Sequence, residues 1–176
     1  HFGTKERLLG EVHVAYFTRR FAEAQHIRAE LADPTSRLVA MLYALLAAHR
    51  DDRAASLACL REFVRYLDSD VLTAYVREQR DRYMSTVVGI ITDGVERGTF
   101  RTADPVLAAL QVFGMCNYAW TWYRPDGRRS VEDIARVFAQ DLLAGLTGSR
   151  DDHAAINETI TNAIAVVRRA PGRLPA

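Results

Sequence analysis

The sequence begins with HFGTKERLL, residues 1–9, and this stretch has the pattern of a helix start. Small residues that can cap a helix come first, and Lys5 and Glu6 then place charge in the first turn. Apolar residues follow at close to the helical period until Asp33-Pro34, where proline forbids continuation of the helix. The stretch therefore predicts a long first helix over residues 4–31.

The same periodicity continues through the rest of the chain, without the sustained alternation of apolar and polar residues that strands show. Proline or acidic residues open several segments, and Gly94 and Gly98 close one of them. An apolar content of 49% is sufficient for one folded domain. We therefore predict an all-α fold, whose further helices cover residues 34–49, 51–67, 70–97, 106–123, 130–146 and 152–169.

The segment from Val106 to Tyr123 is apolar on all sides. Such a helix must be buried all round, and in a chain of 176 residues this indicates one side against its own core and another against a partner subunit. The helix over residues 130–146 carries one apolar stripe and supplies a second helix for that contact. Two such helices repeated by a two-fold axis make a four-helix interface, so we expect a homodimer.

The composition limits the classes of partner. A formal net charge of +1 is too small to mark the whole chain as a nucleic-acid binder, so any DNA contact must be local. Cys59 and Cys116 lie in apolar helical patterns, where we expect buried free thiols. No apolar stretch approaches the roughly 20 residues that span a bilayer, and no secretory leader occurs. We expect a cytoplasmic protein with no membrane contact.

Enzyme signatures are absent from the sequence. The five histidines show no metal-binding spacing and lie near no cysteine cluster. No glycine-rich nucleotide motif, nucleophile elbow or phosphate loop occurs, and helix capping accounts for the acidic residues between the predicted helices. We therefore expect no catalytic residues, no metal and no cofactor.

Two parts of the chain are similar to the TetR family of transcriptional regulators. HFGTKERLL resembles the junction at which a helix-turn-helix head meets the first helix of the regulatory body. GVERGTFRTADP, residues 94–105, followed by NYAWTWYRPDGRRS, residues 117–130, resembles the body of members that sense acyl-coenzyme A thioesters. The resemblance covers about residues 1–148.

The resemblance implies a domain organisation. The chain would hold little of the DNA-binding head and most of a TetR-like C-terminal bundle for ligand binding and dimerisation. An accessory helix and a tail, for which we have no functional interpretation, would follow. These parts would cover residues 1–3, 4–148 and 149–176.

The resemblance also implies a contact with DNA phosphate. Lys5 lies in the first turn of the first predicted helix, where free backbone N–H groups and the helix dipole favour an anion. Thr4 and His1 lie beside it. Such contacts position a protein on DNA but read no bases, so the operator would be recognised through the head that is largely missing here.

Polar-tipped aromatic residues point to a ligand tunnel. Taken singly, each is more often a core residue, but as a group they suit a tunnel that holds an apolar ligand. Asn117 would need a hydrogen-bond partner if it were buried, and a thioester or acyl carbonyl could supply it. The predicted ligand-binding residues are Phe63, Tyr66, Tyr83, Val87, Phe113, Asn117, Tyr118, Trp120 and Trp122.

Coenzyme A carries phosphates, so we expect cations at the mouth of this tunnel. Arginine pairs phosphates through two parallel hydrogen bonds, which makes the arginines of the third and fourth predicted helices candidates for that role. They are Arg61, Arg65, Arg77, Arg80 and Arg82.

The last two helices of the core form the dimer interface in TetR relatives. The resemblance thus places that interface on residues Leu110, Gly114, Tyr118, Thr121, Ile134, Val137, Phe138, Asp141 and Leu142.

Taken together, these features predict a ligand-responsive repressor that releases operator DNA when an apolar effector binds, with a fatty or steroid-type acyl-coenzyme A as the expected effector. A multidrug-type TetR sensor of lipophilic compounds and a ligand-free helical dimerisation module are the alternatives.

Overall fold

The computed structural model describes residues 2–65, 70–148 and 153–171. Within these ranges every regular element is helical and no strand occurs, which confirms the predicted all-α class. None of these helices, over the residues so described, is long and apolar enough to cross a membrane. The elements are α1 (Phe2–Glu30), α2 (Pro34–Asp51), α3 (Arg53–Arg65), α4 (Asp70–Glu96), α5 (Pro105–Asn117), a 3-10 turn η1 (Tyr118–Thr121), α6 (Val131–Thr147) and α7 (His153–Arg168).

Helix α2 lies at the centre of the molecule and is enclosed by the other six helices. Every residue from Leu38 to His49 is buried. The alanines in this run let neighbouring helices approach closely, while its leucines and Met41 fill the space between them. A helix buried on all sides must be apolar on all sides, and α2 meets that condition.

The prediction of a single helix over residues 106–123 is wrong. Helix α5 ends at Asn117, and the chain tightens into η1. The hydroxyl of Thr121 donates to the backbone carbonyl of Tyr118 at 2.8 Å, and such local bonds compete with regular helical pairing. All-round burial is also found on α2 rather than on α5, whose outer side exposes Leu107 and Leu110 by 63% and 48%.

Several helix starts follow the sequence signals. Asp33 caps α2 by accepting from the backbone N–H of Ser36 at 2.8 Å, and Asp104 caps α5 in the same way. Ser130 and Asp133 form a reciprocal capping box at the start of α6. The predicted starts at these places are therefore confirmed.

The two cysteines are free and buried, as predicted. Burial raises the pKa of the Cys59 thiol to about 12 and also raises that of Cys116. Neither side chain carries a thiolate at neutral pH, so both act as small apolar residues.

A polar clasp joins α2, α6 and α7 through one carboxylate. Glu132 accepts from the hydroxyl of Tyr43 at 2.6 Å and from the guanidinium groups of Arg50 and Arg168, each at 2.8 Å. Burial opposes the charge of Glu132, but these three donors outweigh that effect and lower its pKa to about 2. The clasp fixes α7 against α2, where Ile160 is completely buried.

Two glycines of α4 have opposite surroundings. A Cβ atom at Gly94 would overlap the ring of Phe100, which is itself 2% exposed, whereas a Cβ atom at Gly89 would meet nothing within 4 Å. The helix ends shortly afterwards, and Gly98 turns the chain with a φ of 72°. The absence of a side chain at Gly94 therefore lets the segment after α4 fold back onto it.

We expect Gly94→Ala to destabilise the protein by about 1–3 kcal/mol, because the added methyl group must displace a buried ring. The midpoint of thermal unfolding, measured at fixed protein concentration, should fall by several degrees. The matched control is Gly89→Ala, which should leave stability unchanged or raise it by up to about 1 kcal/mol because alanine favours a helix. Equal effects of the two substitutions would contradict this packing.

We expect Glu132→Gln to make the stability less dependent on pH. The folded pKa of about 2 lies below the ordinary value of 4.5, so the carboxylate stabilises the fold fully above about pH 5 and loses this effect as the pH falls towards 2. The variant should be about 2–3 kcal/mol less stable at pH 7, with the difference shrinking below pH 5. Thermal melts across this range measure it, and the exposed Glu158→Gln serves as control. A difference that stays constant with pH would contradict the clasp.

Candidate functional site

A charged pair lies inside the otherwise apolar body. Arg20 and Glu23 of α1 are 5% and 1% exposed, and their side chains form an ion pair at 3.0 Å. They stand three residues apart, so they share one face of the helix. One terminal amino group of Arg20 also donates to the backbone carbonyl of Ala44 in α2 at 3.1 Å. The Nε–H of Arg20 is buried and donates to no group within the described ranges.

Hydroxyl groups complete what we call the Arg20 cluster, which consists of Tyr16, Arg20, Glu23, Ser56 and Tyr83. The Arg20 guanidinium lies 5.6 Å from the centre of the Tyr16 ring, and Ser56 of α3 lies close to the Tyr16 hydroxyl. Burial raises the pKa of Tyr16. Burial also opposes the charge of Arg20, but Glu23 and the two tyrosines outweigh it and raise its pKa. The cluster therefore keeps a permanent buried cation.

An aromatic wall borders the cluster. The ring of Tyr83 contacts Phe113 of α5 edge to face at 5.9 Å and Phe21 of α1 at 5.8 Å. Val87 follows one helical turn after Tyr83 on α4 and is completely buried. The structure thus gathers three of the predicted ligand residues, Tyr83, Val87 and Phe113, in the core beside Arg20.

The other predicted ligand residues lie elsewhere. Asn117 and Trp120 are half-buried. Tyr118 and Trp122 are 65% and 44% exposed and lie on the outer side of the body. The side chain of Phe63 and the whole of Tyr66 fall outside what the structure describes.

The predicted phosphate contacts cannot be placed in the same way. His1 and the side chains of Thr4 and Lys5 lie outside the described residues, as do the side chains of Arg61 and Arg65. Where side chains are described, no three histidine, cysteine or acidic groups come together so as to hold a metal ion.

An outer face is formed by α5, η1 and α6. Among the predicted interface residues, Leu110, Tyr118 and Val137 are 48%, 65% and 49% exposed. Gly114, Thr121 and Asp141 are also exposed, whereas Ile134 and Phe138 are half-buried and Leu142 is 4% exposed and packs in the core of its own chain. Large exposed apolar side chains on two neighbouring helices are typical of a surface that meets a partner.

Arg20 and Glu23 are not among the predicted site residues, because charged residues on a helix usually face solvent. The signal was nevertheless present. Phe17, Ala24 and Ile27 mark the buried stripe of α1, and Arg20 and Glu23 occupy the same stripe at spacings of three and four residues. A charged pair in register with an apolar stripe indicates a buried ion pair.

Comparison with known proteins agrees with this architecture. A family model described as "Tetracyclin repressor-like, C-terminal domain" matches residues 31–146. The HTH-type transcriptional repressor KstR2 of Rhodococcus jostii strain RHA1 is 26% identical over 149 residues, which cover 83% of this chain and 72% of the relative.

Two solved structures share the fold. The ketosteroid transcriptional regulator KstR2 of Mycobacterium tuberculosis superposes with a TM-score of 0.76 at 24% identity, covering 84% of this chain and 75% of that one. AibR, solved in complex with isovaleryl coenzyme A and operator DNA, gives a TM-score of 0.69 at 24% identity, covering 81% of this chain and 77% of that one. Because the family model spans more than half of the sequence, the chain belongs to the TetR family of regulators and carries its C-terminal domain.

Proposed function

We propose that this chain is the regulatory body of a dimeric transcriptional repressor that releases operator DNA when a fatty or steroid-type acyl-coenzyme A binds at the Arg20 cluster. The observation that carries the proposal is the buried Nε–H of Arg20, which has no acceptor among the described groups. Two relatives support it: KstR2 is a transcriptional repressor, and AibR was solved in complex with isovaleryl coenzyme A and operator DNA.

An acyl effector has the chemistry that the cluster requires. A buried donor without an acceptor costs about 1–3 kcal/mol, and a carbonyl oxygen of the effector would accept from Arg20 and remove that cost. The apolar part of the effector would lie against Tyr83, Val87 and Phe113. The site would thus combine one directional polar contact with a larger apolar wall, as small-molecule sites commonly do.

Helix α1 connects this site to the DNA-binding end of the protein. It contributes Arg20 and Glu23 to the cluster, and its first residues resemble the junction with a helix-turn-helix head. An effector that binds one position of α1 better than another shifts the population of the two arrangements. In a dimer this shift would move two heads away from half-sites about one DNA turn apart.

We expect the double variant Arg20→Met, Glu23→Leu to fold but to lose its response to the effector. Removing both partners avoids an unpaired buried charge, and apolar replacements of buried ion pairs are often neutral for stability. Acyl-coenzyme A affinity should fall by about tenfold or more, since the variant has lost a charge-assisted hydrogen bond. Thermal shift with a panel of thioesters and operator release in the full-length protein are the two measurements.

Arg19→Met is the matched control for this experiment. Arg19 immediately precedes Arg20 on α1, its side chain is 39% exposed and it pairs with Asp52, so its loss should leave effector affinity unchanged. Full effector response in the Arg20→Met, Glu23→Leu variant would contradict the proposed site.

A response of the unmodified protein to lipophilic cations and not to thioesters would favour a multidrug-type sensor, in which Glu23 would bind the cation. No response to any compound would favour a ligand-free dimerisation module.

We also propose that the outer face of α5, η1 and α6 is the dimer interface. We expect Val137→Glu to weaken dimerisation, because it places two like charges near the two-fold axis on a surface that otherwise buries apolar area. Analytical ultracentrifugation should show an increase of at least about tenfold in the dissociation constant. Val14→Glu, on α1 and equally exposed at 48%, is the control and should leave the dimer intact. An unchanged dimer in Val137→Glu would place the interface elsewhere.

A further inference from the structure

A second site lies further along α1, after the Arg20 cluster and towards the C-terminal end of the helix. A groove of about 550 Å³ runs between the end of α1 and the last turns of α4. Four arginines line it, namely Arg28 of α1, Arg37 of α2, Arg82 of α4, and Arg97, which directly follows α4. Gly89 forms part of its α4 wall, where the missing side chain leaves open space. The groove is large enough for a small-molecule ligand.

The charge of this groove is strongly positive. Asp93 is the one carboxylate among its lining residues, against four guanidinium groups. The Oδ1 of Asp93 accepts from the Nε of Arg97 at 2.8 Å, and its buried Oδ2 lies 3.9 Å from Arg37 without accepting a hydrogen bond from any described residue, so one carboxylate offsets only part of the positive charge. The groove therefore presents a positive potential that attracts an anion.

Several guanidinium N–H groups remain available in the groove. Arg28 donates to no group in the part of the chain that the structure describes. Arg97 uses only its Nε–H for Asp93. Arg82 is held in place by the Phe21 ring, 5.0 Å from its guanidinium carbon, and by one bond to Gln79 at 3.1 Å. An arginine has five N–H donors, so each of these three keeps several for a ligand.

We propose that this groove binds the phosphoanhydride group of a nucleotide-containing ligand. Arginines converging from two helices suit a group with several charged oxygens, because guanidinium pairs phosphate through parallel hydrogen bonds. A phosphoanhydride held by Arg28, Arg82 and Arg97 would bridge α1 and α4. Two sources share this chemistry, namely the coenzyme A part of an acyl effector and a free nucleotide.

The groove and the Arg20 cluster are neighbours, joined through Phe21, and the form of this inference in which an acyl-coenzyme A binds rests on the proposed function. The Phe21 ring lies under Arg82 and contacts Tyr83, a member of the cluster. Arg20 and Arg28 are eight residues apart on α1, about 12 Å along the helix axis. One ligand could therefore place an acyl carbonyl at Arg20 and its phosphates in the groove.

The test is calorimetric titration of inorganic pyrophosphate into the full-length protein. We expect saturable binding that weakens at least tenfold in the Arg28→Gln, Arg97→Gln variant. The control Arg124→Gln, Arg128→Gln removes two exposed arginines from the loop before α6 and should bind as the unmodified protein does. A second pair of variants tests the size of the groove and not its charge. Gly89→Phe should fill the groove and abolish binding, whereas Gly89→Ala should retain binding.

Equal binding in the two double arginine variants, or unchanged binding in Gly89→Phe, would overturn the assignment. Titration of ATP, coenzyme A and acyl-coenzyme A separates the two sources. Tighter binding of acyl-coenzyme A than of coenzyme A, lost in the Arg20→Met, Glu23→Leu variant, supports the groove as the phosphate site of the effector. Equal binding of ATP and acyl-coenzyme A, sensitive to Arg28 and Arg97 but not to Arg20, supports a free nucleotide. That result would support the groove as a phosphate site and contradict the proposed acyl-coenzyme A effector.

Discussion

Between Leu38 and His49, helix α2 has no side that faces solvent, and this constraint shapes the surrounding structure. A polar group on such a helix must find its partner inside the protein. Tyr43 donates to Glu132 of α6, His49 bonds to the carbonyl of Cys116 in α5, and the carbonyl of Ala44 accepts from Arg20 of α1. Each of these contacts brings a different helix into a fixed position against α2. The polar atoms of the central helix thus determine how its neighbours are placed, while its apolar residues supply most of the burial.

Stability alone does not explain why Arg20 and Glu23 form a buried ion pair. Removing two charges from water is costly, and well-packed apolar residues in the same place are often as stable or more so. The bond from Arg20 to the Ala44 carbonyl does not supply a missing partner, because carbonyls within a helix already accept from the backbone of the same helix. A charged pair that adds little to folding but keeps inside the body a donor with no partner among the described residues agrees with the proposed ligand contact at Arg20.

The sequence predicted the local features of this fold better than the long-range ones. The caps at Asp33, Asp104 and Ser130 were predictable because each depends on a few consecutive residues. The break at Asn117 was not, because no proline or glycine marks it. Tyr83 and Phe113 were predicted from residue type, whereas Arg20 and Glu23 were overlooked although they lie on the buried stripe of α1. Periodicity within α1 shows that a buried stripe exists. It does not show that this stripe packs against α2, because that contact joins helices far apart in the chain.

Helix α1 is held along its length by hydrogen bonds to other parts of the chain. Arg20 bonds to the carbonyl of Ala44, His26 bonds to the carbonyl of Val166, and Arg37 bonds to the carbonyl of Leu31 just beyond the helix end. Such bonds are directional and limited in number, unlike the continuous apolar surface around α2. Under the proposed function, a ligand that offered α1 a new acceptor would change the balance between two positions of the helix without disrupting the core. Because the Arg20 cluster and the arginine groove both use α1, occupation of either would act on the same element.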